Sequence, residues 1–470
     1  MKSEVIPLMK LNYKKTICVG FAFFLISMFW QAYDTLVPKI LTDKFGMAQT
    51  WSGAIMAMDN LIALFLLPLF GAISDKCKSR FGRRTPYIFV GTILSSVAFF
   101  ALSFIDNLQL SHLAGVSADD PDRLTRAWEA TVQNPVTLVF FILLLLVVLL
   151  SMAIFRSPAV ALMPDVTIKP LRSKGNAIIN LMGTAGGIIV LALGIVFGTG
   201  KPENALMSYT LFFGVVAGMM LIALVIFLLT VKEPKLVREM EEESHRLGLD
   251  AEEEAVDAHA AAEGKGTKLD RSHLISLLLI LASVALWYMG YNAVTTKYSV
   301  YAGNVLGLDY NTTLIIAQGA AIVAYIPAGI LATKFGRRKT ILGGVIMLFA
   351  AFFFASFLRA GSPAILVNLL FILAGIAWAT INVNSFPMVV ELSKAGDVGR
   401  YTGFYYTASM SAQIVTPILS GVFLDYIGMT TLFPYAAIFV ALAFVTMFFV
   451  RHGDAKPTER KSFFGADRCR

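Results

Sequence analysis

Asp59 lies in "AIMAMDNLIALFLLP", a run otherwise free of charge. It stands eight residues past Trp51, about 12 Å along a helix at about 1.5 Å per residue, close to the middle of a hydrocarbon layer. An ionisable side chain at that depth costs about 2.5–3.5 kcal/mol on insertion scales, so it is kept there for a partner or a task. A carboxylate held away from water can exchange a proton, as coupling to a proton gradient requires; a hydrogen bond tying two helices together is the structural alternative. Arg156, in "MAIFRSPAV", is the matching cation. It could act as counter-ion to such a carboxylate, offer a fork of donors to substrate hydroxyls, or snorkel to the interface. Asp34 follows Ser27, Trp30 and Gln31 on one helical face, which belongs either to a polar cavity or to the outer interface. Asn60, directly after Asp59, is a further candidate.

Two later stretches repeat the polar stripe without charge. Tyr288, Tyr291, Asn292 and Thr295 share one helical face; Trp378, Asn382 and Ser385 share another, with Asn384 beside them. Asn180, Gln318 and Gln413 sit in three other apolar stretches. Aromatic faces stack on sugar rings, while amides and hydroxyls bond sugar hydroxyls. Together with Trp30 and Gln31, this set suits a neutral polyol or saccharide. The same side chains could instead bond helix to helix. Gly183 and Gly187, in "GTAGG", read as sites of close helix packing. The five histidines fall in loops or at helix ends, which argues against a buried histidine proton relay. No phosphate-binding loop of the Walker type occurs, which argues against ATP-driven transport, and no pattern of a hydrolytic enzyme is present. The three cysteines have no metal-like spacing; neither a metal nor a cofactor is expected.

These residues need helices in a membrane to position them. The chain has 470 residues, 57% hydrophobic and only 15% charged, with a mean hydropathy of +0.71. Apolar runs of membrane-spanning length fall near 15–38, 51–74, 86–105, 136–164, 176–199 and 207–231, then near 273–296, 311–332, 340–358, 363–390, 402–424 and 430–450. The expected fold is an all-α polytopic membrane protein of twelve transmembrane helices in two pseudo-symmetric six-helix bundles. The bundles occupy 1–231 and 273–451, joined by a polar loop at 232–272 and followed by a tail at 452–470. The Glu/Ala/Lys content of the loop could support an amphipathic surface helix. One set of connections carries the cations and the alternate set is poorer in them; "DNLQLSHLAGVSADDPDRLTRAWEATVQN" has five acids against two arginines. The positive-inside rule puts both termini in the cytoplasm. The pI of about 9.2 then records retained cytoplasmic cations, and no nucleic-acid partner is expected.

The basic connections reveal a repeat. "GAISDKCKSRFGRR" follows the second run, and "GILATKFGRR" follows the second run of the other half. The fourth run of each half ends in an acid, Asp165 or Glu391, followed by an arginine, Arg172 or Arg400, and a glycine before the next run. Two such halves about an axis along the membrane normal are the plan of a secondary transporter. Asp75, Arg83, Arg84, Asp165, Arg172, Arg337, Arg338, Glu391 and Arg400 are therefore candidates for a cytoplasmic gate, with ion pairs formed across the sub-bundles in one state. Fixing topology is the alternative for these cations.

"GILATKFGRR" resembles the loop pattern of the major facilitator superfamily, with Thr333 at the usual acid position. The extra "CKSR" within "SDKCKSRFGRRTPY" is similar to the loop of plant-type sucrose transporters, near the glycoside–pentoside–hexuronide symporters and their bacterial relatives. The plant proteins have an arginine where this chain has Val160; here the cation is Arg156, one turn earlier. The resemblance implies alternating access around a central cavity lined by the first, fourth, seventh and tenth helices. It implies proton-coupled symport of a di- or oligosaccharide or glycoside by a functional monomer in the plasma or inner membrane. A sodium-coupled glycoside carrier, an exporter of another small solute, and a non-transporting solute receptor are the other readings.

Overall fold

The computed structural model describes residues 11–168, 171–247, 271–390, 392 and 398–452. The first half runs α1 (Tyr13–Asp43), α2 (Gln49–Asp75), α3 (Thr85–His112), α4 (Arg123–Gln133), α5 (Pro135–Asp165), α6 (Arg172–Phe197) and α7 (Thr210–Thr230). Then come α8 (Glu233–Arg246), α9 (Arg271–Tyr301), α10 (Tyr310–Phe335), α11 (Arg337–Ala355), α12 (Ala364–Val390), α13 (Val398–Tyr426) and α14 (Leu432–Phe448). All but α4 and α8 are long and apolar enough to cross a membrane, twelve in total among the described residues. A backbone in hydrocarbon must bond to itself, and the helix does this within one segment. Prolines inside α1, α2, α5, α10, α12 and α13 are tolerated because adjacent helices cover the freed carbonyls. Helix ends have local causes: Asn12 accepts from the Lys15 N–H at 3.2 Å, and Gly198 ends α6 at φ +69°.

The two halves have separate hydrophobic cores, one from residues between Val19 and Val231, the other between Leu277 and Val450. They also share one packing plan. The pairs α1–α6, α1–α7, α2–α5, α3–α5 and α3–α7 recur as α9–α13, α9–α14, α10–α12, α11–α12 and α11–α14. Small residues set the approach of α1 and α6: a Cβ on Gly183 would lie 2.8 Å from Ser27 Oγ, and one on Gly186 2.7 Å from the Phe24 carbonyl.

Across the halves, α2 packs on α13, α6 on α10 and α1 on α9. Gln318 Nε2 donates to Gln31 Oε1 at 2.6 Å near mid-helix. Beyond it, away from the Lys/Arg clusters, Asn311 Nδ2 donates to Thr199 Oγ1 at 3.3 Å and Arg123 donates to Asn304 Oδ1 at 3.1 Å. These described hydrogen bonds between the halves lie at mid-helix and at the end away from the Lys/Arg clusters. The halves close on each other at the end away from those clusters.

That closed end holds buried charge. Lys39 pairs with Asp43 at 2.7 Å, and Asp43 also accepts from Arg123 at 3.1 Å. Lys44 pairs with Asp106 at 2.6 Å and donates to the Met207 carbonyl at 2.7 Å. Asp106, expected in a polar connection, is instead fully buried within α3, which runs on to His112 because Lys44 neutralises the acid. Burial pushes the Lys44 ammonium below the usual lysine range, against the charge and hydrogen bonds of Asp106. Removing one member strands the other, at a cost of about 3–5 kcal/mol. Lys44→Met should lower the melting temperature of the purified protein in detergent, and Lys44→Met/Asp106→Leu should recover most of it. Unchanged melting of the single variant contradicts the pairing.

Candidate functional site

A polar cavity of about 170 Å³ opens where α1, α2, α5, α9 and α13 meet. From the first half it receives Trp30 and Asp34 on one face of α1, Asp59 and Asn60 on α2, and Arg156 on α5. From the second half it receives Asn292, Thr295 and Thr296 on α9, and Gln413 and Pro417 one turn apart on α13. Asp34, placed by its sequence in either a cavity or an interface, belongs to the cavity. The three ionisable groups thus come from three helices, far apart in the chain.

They are not locked together. The Arg156 guanidinium lies over the Trp30 ring, 5.1 Å from its centroid, and makes no ion pair within 4 Å of either carboxylate. Asp59 Oδ1 accepts from the Asn60 side chain at 2.7 Å and from the Asn60 backbone N–H. Asn60 therefore orients the carboxylate. Trp30 Nε1 and Asn292 Nδ2, from opposite halves, are buried donors without a hydrogen-bond partner. Such donors are costly to leave unmade, and a ligand oxygen can satisfy them.

Other sequence candidates separate into groups. Tyr291 lies flat on Trp378 with ring centroids 3.6 Å apart and planes at 2°, and Tyr288 meets the same indole edge-on at 5.2 Å. This aromatic cluster joins α9 to α12. Gln31 and Gln318 bond each other beside Gly187, where a Cβ would lie 3.4 Å from both side-chain oxygens. Asn384 is buried outside the cavity lining, and its amide donates to the Thr380 carbonyl of its own helix at 2.8 Å. Asn180 is likewise outside the cavity, exposed on α6 and bonded to the Asn176 carbonyl. Asn382 is half-buried on α12 and does not line the cavity.

The basic end gathers several of the gate candidates. Asp75, Arg83, Arg84 and Asp165 come together within the first half. Arg84 Nε donates to Asp165 at 2.8 Å, its other nitrogens reach Asp75 and Ser74, and Arg83 pairs with Asp165 at 3.0 Å. Burial pulls the Arg84 guanidinium down, but Asp165 and then Asp75 outweigh it and the net direction is up. Arg172 donates to the Thr167 and Pro164 carbonyls, closing the end of α5. Arg337 reaches the Pro387 carbonyl at 3.4 Å and Arg338 the Phe448 carbonyl. Glu391 and the side chain of Arg400 lie outside the described residues.

Glu233, at the start of α8, is a residue that sequence reasoning missed. Its carboxylate accepts from the backbone N–H of Arg83 and Thr85, each at 2.8 Å, from Arg84 N–H at 2.9 Å and from Thr85 Oγ at 2.7 Å. It caps α3 from outside, where Arg84 at the N-cap offers no acceptor. Gly82, at φ +110°, allows this approach, since a Cβ there would lie 2.2 Å from Glu233 Oε2. Lys15 pairs with Glu239 and holds its carboxyl below the usual range, so α8 is docked on the first half. Only the acid two residues past the last apolar run hinted at this in the sequence.

A family model described as Major Facilitator Superfamily matches residues 19–326 and 312–467. A sucrose transport protein of Arabidopsis thaliana is 29% identical over 159 residues, 34% of this chain and 25% of that protein. The aligned stretches thus span about a quarter of the curated relatives' length. The inward-open xylose transporter of E. coli superposes with a TM-score of 0.63 at 14% identity, covering 96% of this chain and 98% of its own. A peptide transporter superposes equally well, with a TM-score of 0.65 at 13% identity over 93% of each chain. At such identities the likeness is one of fold, and the fold alone does not select a substrate.

The Glu233 cap yields a direct test. Glu233→Ala leaves three amides at the start of α3 without their acceptor, so hydrogen exchange at residues 83–85 should quicken about tenfold, the equivalent of one charge-assisted hydrogen bond. Glu233→Gln should show a smaller change, and unaltered exchange in both contradicts the cap.

Proposed function

We infer, from the premise that this chain belongs to the Major Facilitator Superfamily, that it carries a sugar through an integral membrane fold by alternating access, driven by a proton gradient. The observation that carries this reading is the division of labour in the central cavity. The first half supplies two carboxylates and one guanidinium that are not paired with one another, and the second supplies amides and hydroxyls. A proton arriving at Asp59 or Asp34 changes the charge that Arg156 faces. A saccharide oxygen bridging Trp30 Nε1 and Asn292 Nδ2 would satisfy both open donors and draw the halves together. Its ring would find an aromatic wall in Trp30 or in the Tyr291–Trp378 stack. The sucrose transport protein and the xylose transporter among the similar proteins support a sugar, and the motif "SDKCKSRFGRRTPY" supports the glycoside end of that range.

By the positive-inside rule the Lys/Arg-rich end faces the cytoplasm of a plasma or inner membrane, with both termini on that side. The structure is then an inward-facing state, and the chain works as a monomer in lipid. The same carboxylate pair favours one second reading, sodium coupling, because hard cations take oxygen ligands.

Uptake into proteoliposomes with imposed pH and sodium gradients separates these readings. Across a panel of monosaccharides, disaccharides and glycosides, a pH gradient should drive accumulation of at least one sugar. Asp59→Asn should abolish that accumulation while retaining exchange of the same sugar. A variant whose uptake keeps the parent pH dependence removes Asp59 from the mechanism, and a sodium requirement replaces the coupling ion.

A further inference from the structure

We infer that Asp425 and Lys297 of the second half form a latch on the first turn of α2, and that this latch sets the balance between the two faces of the transporter. The inference rests on the alternating-access reading but on neither the sugar nor the proton. Helix α2 begins with Ala48 at its N-cap, a residue with no side-chain acceptor, so its first N–H groups lack a cap of their own. Asp425, near the end of α13, provides one from the other half. Its carboxylate accepts from Gln49 N–H and Thr50 N–H, each at 2.7 Å, and from Thr50 Oγ1 at 2.6 Å. A carboxylate at a helix N-terminus is also favoured by the helix dipole.

Lys297 holds the same turn from α9. It is fully buried, and its Nζ donates to the Gln49 carbonyl at 2.6 Å. The backbones touch as well. A Cβ on Gly53 would lie 1.9 Å from the Pro417 carbonyl oxygen, and one on Gly421 2.4 Å from that of Gln49. Opening this end would uncap α2 and strip a buried ammonium of its acceptor together. The other contacts across this end are weaker in kind: Thr199 with Asn311 and Tyr310 is uncharged, and Arg123 keeps Asp43 when Asn304 leaves.

The latch and the cavity also share their helices. Thr296, next to Lys297, and Pro417, two turns before Asp425, both line the cavity, as does Met56, two turns after Gln49. A ligand that moves α9 or α13 against α2 therefore acts on the latch through rigid segments. Asp425 and Lys297 are positioning residues for the transport cycle, not substrate ligands.

Spin-label distances in the full chain test this without substrate or gradient, so the result is independent of the coupling and sugar readings. The three native cysteines are replaced by serine, and the protein is placed in lipid nanodiscs. One label pair, at the exposed positions Val132 and Ile427, reports the latched end; a second, at Arg80 and Lys339, reports the basic end. Asp425→Asn and Lys297→Met should each lengthen the first distance and shorten the second. The ratio of outward to inward state should rise about fivefold or more, the effect of losing a helix cap. Thr50→Val, which removes one side-chain donor to Asp425, should shift the ratio the same way and reads the latch if a charge variant fails to fold. Unchanged distances at both ends overturn the inference. So does lengthening at both ends, which marks lost packing instead of a change of face.

Discussion

A charge carried into hydrocarbon must find its counterpart inside the protein, and this constraint orders the whole chain. Lys44 and Asp106 meet it as a closed pair, buried and saturated by the Met207 carbonyl. Arg84 meets it at the rim, between two acids. Lys297 meets it with a single backbone carbonyl from the opposite half. Asp34, Asp59 and Arg156 are different: they share a cavity, and the cation rests on an indole ring without a carboxylate partner. Structural pairs are satisfied within the fold, whereas these three leave room for a proton or a ligand to complete them.

Much of the fold was legible because hydrocarbon imposes length and polarity on every crossing segment. Twelve apolar runs, two copies of "FGRR" and two acid–arginine–glycine endings point to paired halves, and the recurring helix pairs express the same repeat. The depth of Asp59 and Arg156 was legible for the same reason. Partnership was not, because nothing local couples Lys44 to Asp106 across 62 residues or Asp425 to Gln49 across 376. An unpaired carboxylate belongs in water, so the sequence alone places Asp106 in a loop; its distant lysine changes that.

Polar stripes were legible as stripes but not as roles. Asn292 and Asn384 are the same residue type on comparable helices of one half. The Asn384 amide bonds the carbonyl one turn back, while Asn292 keeps an unpartnered donor and lines the cavity. Helical spacing can align such residues on a face; which neighbour claims the amide is decided by packing. At the basic end, Arg84 lies within reach of both Asp75 and Asp165 of its own half, a partnership that charge at helix ends does not by itself specify.

The repeat also explains why the halves can divide the work. Both preserve the pairing of helices that builds a bundle, so each face toward the cavity is free to differ. The first half has concentrated the ionisable groups on α1, α2 and α5; the second presents uncharged donors and an aromatic stack. In the proposed cycle, charge exchanged in the first half reaches the second through what spans the gap. Gln31 and Gln318 span it at mid-helix, the α2 turn held by Asp425 and Lys297 spans it at the closed end, and a bound solute would span it at the cavity. In the proposed cycle, a ligand that engages both halves is therefore the element that turns a local change of charge into a movement of one bundle against the other.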